Sequence, residues 1–272
     1  MSTQGKVNKT TVITLKEMKQ RNEKIAMLTA YDYPTALILD ECGVEMILVG
    51  DTLGMVVLGY DSTLPVTMDD MIHHTKAVAR AVTSGMVIGD MPFLSYQCSP
   101  DEAVANAGRF LQEGRAQGVK LEGGREYAGI VQRIVSTGIP VVAHIGLTPQ
   151  SVHQLGGYKV QGKEEKAAKK MIGDARILEE AGACAIVLEC VPATLAKTIT
   201  EMISIPTIGI GAGVHCDGQV LVLHDLLGLY QRFTPKFVKR YASLSKNIQK
   251  SVRSYVREVK DGSFPDQEHS FN

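Results

Sequence analysis

Residues 45–67 read EMILVGDTLGMVVLGYDSTLPVT. Four consecutive apolar residues, Met46 through Val49, run into Gly50, Asp51 and Thr52, and a glycine-punctuated loop follows. A short unbroken apolar run is the pattern of a strand buried on both faces. This one ends on a carboxylate. An unpaired charge at such a place is costly, so Asp51 predicts a cationic partner or a metal.

Working outward, the same kind of run recurs. Strands are expected at 25–30, 45–50, 86–91, 118–122, 140–145, 184–189 and 206–210, with an eighth within 221–227, where VLVLHDLLG reads equally well as part helix. Between them lie helical patterns at 33–42, 68–84, 99–117, 127–137, 163–181 and 192–204, after a first helix at 15–22. Ser99 followed by Pro100, Asp101 and Glu102 is a good helix start: a side-chain acceptor, then acids in the first turn. Strands alternating with helices over about 250 residues predict a parallel sheet closed as a single (β/α)8 TIM-type barrel. The first strand is followed by no GxGxxG, which argues against a dinucleotide fold. Residues 1–10 read as a flexible tail, and 11–272 as one catalytic domain that includes one or two added helices within 235–260.

Composition narrows the function classes. Of 272 residues 44% are hydrophobic, enough for one sizeable core. Lys+Arg and Asp+Glu each number 29, so the net charge is zero. That gives no nucleic-acid footprint and no polybasic membrane patch. No apolar run is long enough to span a bilayer, and MSTQGKVNKTTVITLKEMKQ lacks the apolar core of a secretory signal. A cytoplasmic protein is expected. The five cysteines, Cys42, Cys98, Cys184, Cys190 and Cys216, include no CxxC pair. Free, mostly buried thiols are expected, and zinc is not.

In a barrel the active groups sit at the carboxyl ends of strands. Taken in order those ends carry Asp51, Asp90, Lys120 with Glu122, His144 and Glu189. Strands two, three and four are neighbours, so Asp51, Asp90 and Glu122 are expected side by side. Lys120 and Glu122, two apart, share one side of their strand. Three adjacent carboxylates repel unless protonated or bridged, and oxygen-only ligands suit Mg²⁺. Strand-end caps or ion pairs, such as Lys120 with Glu122, would explain the same acids. Glu189, across the mouth, could have a raised pKa and serve as general base, or pair with a lysine. His144 could donate to a substrate oxygen or be a satisfied core histidine. His73 and His74 fit surface or packing roles on a helix. Gly209 through Gly213 follow the seventh strand, where barrels often hold phosphate; close backbone packing explains them equally well.

The motifs together resemble the ketopantoate hydroxymethyltransferase (3-methyl-2-oxobutanoate hydroxymethyltransferase) family from about Thr11 onward. The likeness rests on TAYDYPTA (29–36), VGDTLGM (49–55), STLPVT (62–67), DMPF (90–93), VKLEGG (119–124), HIGLTPQ (144–150), GGYKVQG (156–162), LECVP (188–192), IGIGAG (208–213), DGQVLV (217–222) and EHSF (268–271). The resemblance implies hydroxymethyl transfer from 5,10-methylenetetrahydrofolate to 3-methyl-2-oxobutanoate through a metal-stabilised enolate, giving 2-dehydropantoate for pantothenate biosynthesis. It also implies Mg²⁺ and a homodecamer of two pentameric rings. Carried over by residue, Asp51, Asp90 and Glu122 are its metal-site acids, and Asp51, Thr52, Asp90 and Lys120 its oxoacid-binding positions. Glu189 matches its proton acceptor and His144 a substrate contact. Thr52 stands where the family often has serine; the hydroxyl is kept, but the β-branch stiffens the side chain. An enolate needs shelter from water, which makes residues 53–67 a candidate lid.

Three rival readings are distinguishable. A lyase or mutase of the phosphoenolpyruvate mutase and isocitrate lyase type would share a Mg²⁺-enolate barrel without folate. A metal-free aldolase would use Lys120 as a Schiff-base amine. A non-catalytic ring scaffold would keep the barrel and turn nothing over.

Overall fold

The computed structural model describes residues 9–271. Residues 1–8, most of the expected tail, lie outside the described residues, while Thr10 N–H already donates to Ser84 O at 2.7 Å. Among the described residues eight strands occur: β1 (Ile25–Thr29), β2 (Met46–Val49), β3 (Met86–Asp90), β4 (Gly118–Glu122), β5 (Val141–Gly146), β6 (Ala185–Glu189), β7 (Thr207–Ile210) and β8 (Gly218–Leu221). Each pairs in parallel with the next, and β8 closes on β1, so the sheet is a barrel in chain order. The helices are α1 (Val12–Gln20), α2 (Tyr33–Glu41), α3 (Leu53–Val56), α4 (Met68–Ala81), α5 (Pro100–Gln112), α6 (Ala128–Val135), α7 (Val152–Leu155), α8 (Glu165–Glu180), α9 (Ala193–Met202), α10 (Leu223–Leu226) and α11 (Leu244–Asp261).

Every residue of β2, β3, β4 and β7 is buried, as strands packed between a barrel interior and covering helices must be. Helix starts are fixed by side chains. Ser99 Oγ accepts from Glu102 N–H at 3.1 Å, and Thr67 exchanges bonds with Asp70 in a capping box at the head of α4. Glycine decides one close approach. A Cβ on Gly89 would lie 2.2 Å from the fully buried Phe110 ring of α5. Its absence lets α5 seat against β3, one residue before Asp90.

One expectation is corrected. The eighth strand lies at Gly218–Leu221 and not within 221–227, where the helical alternative holds and α10 forms. Its burial alternates, with Gln219 exposed, so it does not read as an unbroken apolar run. Of the one or two helices expected within 235–260, one forms, α11, starting at Leu244. The short segment after β2 is held down by buried Leu53, Gly54, Thr63 and Val66, while Val57, Leu58 and Tyr60 are exposed. The five cysteines are free, but only Cys216 is fully buried, and Cys42 and Cys98 are exposed.

The chain divides into two compact units. The first, ending at Val222, holds the barrel; the second begins at Leu223 and holds α10 and α11. No helix among the described residues is long and apolar enough to cross a membrane.

Candidate active site

All the strand-end residues singled out in the sequence line one cleft at the carboxyl end of the barrel. Asp51, Thr52, Asp90, Lys120, Glu122, His144 and Glu189 face it, with Leu48, Val187, Ile210, Val220 and Val222 supplying apolar wall. The cleft is narrow, with a free volume of about 50 Å³ between these side chains. Strand register brings these groups together. Asp90 pairs across with Lys120, Glu122 with His144, and Gly146 with Glu189.

Lys120 is the electrostatic centre. Its Nζ donates to Asp90 Oδ1 at 2.7 Å and Oδ2 at 2.9 Å, and stands 3.6 Å from Glu122 Oε1. All three side chains are almost wholly inaccessible to water. Burial opposes the ammonium, but Asp90, Glu122 and Asp51 outweigh it and hold Lys120 above the ordinary lysine pKa. A Schiff-base lysine needs the opposite shift, so the geometry disfavours the metal-free aldolase.

The acids differ from one another. Burial pushes Asp51 well above the ordinary carboxyl range, reinforced by Asp90 and Glu122. Burial also raises Asp90, against the pull of Lys120. Glu122 is equally buried, yet Lys120, His144 and the Gln150 N–H, which donates to Oε2 at 3.0 Å, hold it low. His144 spans two acids, with Nδ1 3.4 Å from Glu122 and Nε2 3.3 Å from Glu189. Neither contact is an aligned hydrogen bond, so the attraction is chiefly that of charges. Burial and Lys120 oppose its protonation, but the two carboxylates prevail and raise its pKa to about 9. Glu189 is the most accessible of these carboxylates, its side chain 16% exposed.

The loop ends aim these groups. Gly146 has φ +102°, and a Cβ there would lie 2.3 Å from Glu189 O, so only glycine lets β5 and β6 meet this closely. Cys190, directly after Glu189, takes φ +49°, a left-handed conformation uncommon for a side-chain-bearing residue.

The donor chemistry fits a divalent cation in part. Among the described residues no group of three or more His, Cys, Asp or Glu is arranged to hold one. Asp51 and Asp90 are nevertheless adjacent, all-oxygen and disfavoured as bare anions, which a cation relieves. Asp90 Oδ2 accepts from Asp51 N–H at 3.3 Å. Mg²⁺ commonly takes one or two carboxylates and keeps waters for the rest. Glu122 stands beside them, engaged by Lys120, His144 and Gln150.

Other expected groups fall elsewhere. His73 is exposed on α4, and His74 Nδ1 lies 2.7 Å from Tyr31 O, a packing role. Gly209 and Gly213 are explained by packing: Cβ atoms there would strike Cys216 Sγ at 2.9 Å and Ala193 Cβ at 2.5 Å. Sequence reasoning missed Gln150 and Tyr96, both buried behind the acids. Gln150 closes the HIGLTPQ motif, the one signal that could have found it.

The sequence profile of ketopantoate hydroxymethyltransferase matches residues 9–267. The chain belongs to the ketopantoate hydroxymethyltransferase family. A relative from Syntrophus aciditrophicus (strain SB), named 3-methyl-2-oxobutanoate hydroxymethyltransferase, is 65% identical over 271 residues, covering 100% of both chains. Such names support ketopantoate hydroxymethyltransferase activity here, and small-molecule substrates suit an enzyme of this family. Solved structures share the fold at low identity. Phosphoenolpyruvate phosphomutase from Streptomyces platensis subsp. rosaceus aligns with TM-score 0.61 and 13% identity, over 92% of this chain and 88% of that one. A 2,3-dimethylmalate lyase of the PEP mutase/isocitrate lyase superfamily aligns with TM-score 0.59 and 15% identity, over 95% and 91%. The closed eight-stranded barrel of this ketopantoate hydroxymethyltransferase family member is thus shared with that superfamily.

Proposed function

We propose that this chain moves a hydroxymethyl group from 5,10-methylenetetrahydrofolate to 3-methyl-2-oxobutanoate, giving 2-dehydropantoate and tetrahydrofolate with consumption of one water. The observation that carries the reading is the division of the cleft. Two acids of raised proton affinity, Asp51 and Asp90, flank a buried ammonium, and an accessible carboxylate, Glu189, stands apart on β6.

The C–H beside a ketone is a weak acid, and removing it leaves charge on the keto oxygen. Asp51 and Asp90 would hold a divalent cation, with Glu122 adding to the negative field behind them. When bound, that cation supplies positive charge where the enolate oxygen develops. Lys120 adds a second, fixed positive charge for the substrate carboxylate and keto oxygen, with no covalent bond. Thr52, half-buried beside Asp51, offers a hydroxyl to the same oxoacid. The apolar wall of Val187, Ile210 and Val220 receives the branched alkyl end. Glu189 accepts the C3 proton, and His144 holds that carboxylate in place from within the barrel. One carbon–nitrogen bond to the folate methylene carbon opens, the C3 carbon bonds to that carbon, and water takes the place of the second nitrogen as the hydroxyl; the proton from C3 and one from the water end on the two freed folate nitrogens.

The expected homo-oligomer is supported by α11, which has no buried residue and exposes Ile248, Val252, Tyr255, Val256 and Val259. The transfer is tested with ¹⁴C-labelled methylenetetrahydrofolate and 3-methyl-2-oxobutanoate. Label in 2-dehydropantoate with matching tetrahydrofolate release supports the reading. Carbon–carbon cleavage of the oxoacid without folate turnover would favour a lyase.

A further inference from the structure

Four strand ends meet at one buried amide. Gln150 follows β5 in a short 3₁₀ turn and is 5% exposed. Its Nε2 donates to Asp51 Oδ2 at 2.9 Å and to Met91 O at 2.9 Å. Its Oε1 accepts from Tyr96 Oη at 2.9 Å and from Gln97 Nε2 at 3.3 Å. Its backbone N–H donates to Glu122 Oε2. The amide therefore has one possible orientation. Turned over, its oxygen would face two acceptors, Asp51 Oδ2 and the Met91 carbonyl.

Tyr96 completes the frame. Its hydroxyl accepts from Glu122 N–H at 3.1 Å and lies 3.0 Å from Glu122 O, so its one proton is shared between that carbonyl and Gln150 Oε1. The Tyr96 ring is buried edge-on against Tyr127, with centroids 5.5 Å apart. A rigid aromatic thus sets Gln150, and Gln150 sets Asp51. With Oδ2 committed to Gln150, Asp51 has Oδ1 left for another partner; no hydrogen bond to Oδ1 is made among the described residues.

We infer that Gln150 is a positioning residue: its side-chain amide, oriented by Tyr96, fixes the Asp51 carboxylate so that the site binds a divalent cation tightly. The inference rests on the proposed cation role of Asp51 and Asp90. Groups that orient a metal ligand typically change affinity 10–100-fold when removed.

The test uses Mn²⁺ alone as the probe, read by loss of its free-ion EPR signal, on the full chain far below its melting temperature. The proteins are wild type, Gln150→Met, Tyr96→Phe and Asp51→Asn, each melted in EDTA. The expected result is a loss of Mn²⁺ affinity of about 10–100-fold in Gln150→Met, and a smaller loss in the same direction in Tyr96→Phe. A merely structural role lowers the melting temperature but leaves affinity at low temperature unmoved. Gln150→Met affinity within twofold of wild type, while Asp51→Asn is weakened, overturns the inference and leaves the cation reading standing. Wild type that binds no Mn²⁺, or an Asp51→Asn that binds it undiminished, overturns both. Should Gln150→Met fail to fold, Tyr96→Phe decides: weakened binding supports the inference, and unchanged binding overturns it.

Discussion

Lys120→Met removes the one ammonium that, among the described residues, lies within reach of three buried acids. In the wild type that ammonium lies 2.7 and 2.9 Å from the Asp90 oxygens and 3.6 Å from Glu122. Methionine matches the stem but leaves Asp90 without its partner. Removing one member of a buried ion pair costs about 3–5 kcal/mol, because the remaining charge has neither water nor counter-ion. At about 2–4 °C per kcal/mol for a chain of this size, the melting temperature in EDTA at pH 8 should fall by about 6–20 °C. The sign of the pH dependence follows. Without Lys120 the carboxyls take up protons more readily on folding, so the deficit should shrink as the pH is lowered from 8 toward 5. The wild type should show the alkaline limb instead: Lys120 has a raised pKa, so its contribution is complete below about pH 10 and is lost above it. The assay is thermal unfolding by circular dichroism at fixed protein concentration, across pH 5 to 8. A Lys120→Met protein that melts within about 2 °C of wild type at pH 8 would refute the reasoning, since about 3 kcal/mol must register.

Further outcomes follow from single residues. Gly146→Ala places a methyl 2.3 Å from Glu189 O and forces alanine to φ +102°; displacing Glu189 should cost about 100-fold in turnover, read by steady-state kinetics on folded protein. His144 should show no imidazole transition near 6.5 by NMR, titrating instead near 9. The stability it contributes is present below about pH 6.5 and lost as the pH rises through 9, so His144→Gln should flatten that slope in urea unfolding. Asp40 lies far from the cleft. Burial opposes its charge, but Thr83, Ser84 and Gly85 together lower its carboxyl to about 2. Asp40→Asn should therefore cost about 2 kcal/mol above pH 4, a difference that fades as the pH falls toward 2, measured by urea midpoints.

The readable part of this molecule was the part where burial dictates sequence. β2, β3 and β4 read as strands because both faces are covered, and the acids ending them stood out against that apolar background. β8 did not, because Gln219 faces outward and breaks the run. Helix ends were overrun for local reasons. α4 stops at Ala81 rather than Ser84 because the Thr83, Ser84 and Gly85 N–H groups donate to Asp40. α5 ends at Gln112, and Arg115 then takes φ +58°. Lys120 beside Glu122 followed from strand alternation. The clamp of Gln150 and Tyr96 did not, because both are loop residues whose partners come from four separate strand ends. No periodicity encodes such a convergence.

Proton exchange at C3 of 3-methyl-2-oxobutanoate in D₂O, followed by NMR, tests the central claim most directly. Wild type with Mg²⁺ should exchange the proton, and EDTA, Asp51→Asn and Glu189→Gln should each abolish it. Exchange that continues at the wild-type rate in EDTA and in Asp51→Asn would contradict the account, as would a wild type with Mg²⁺ that exchanges nothing.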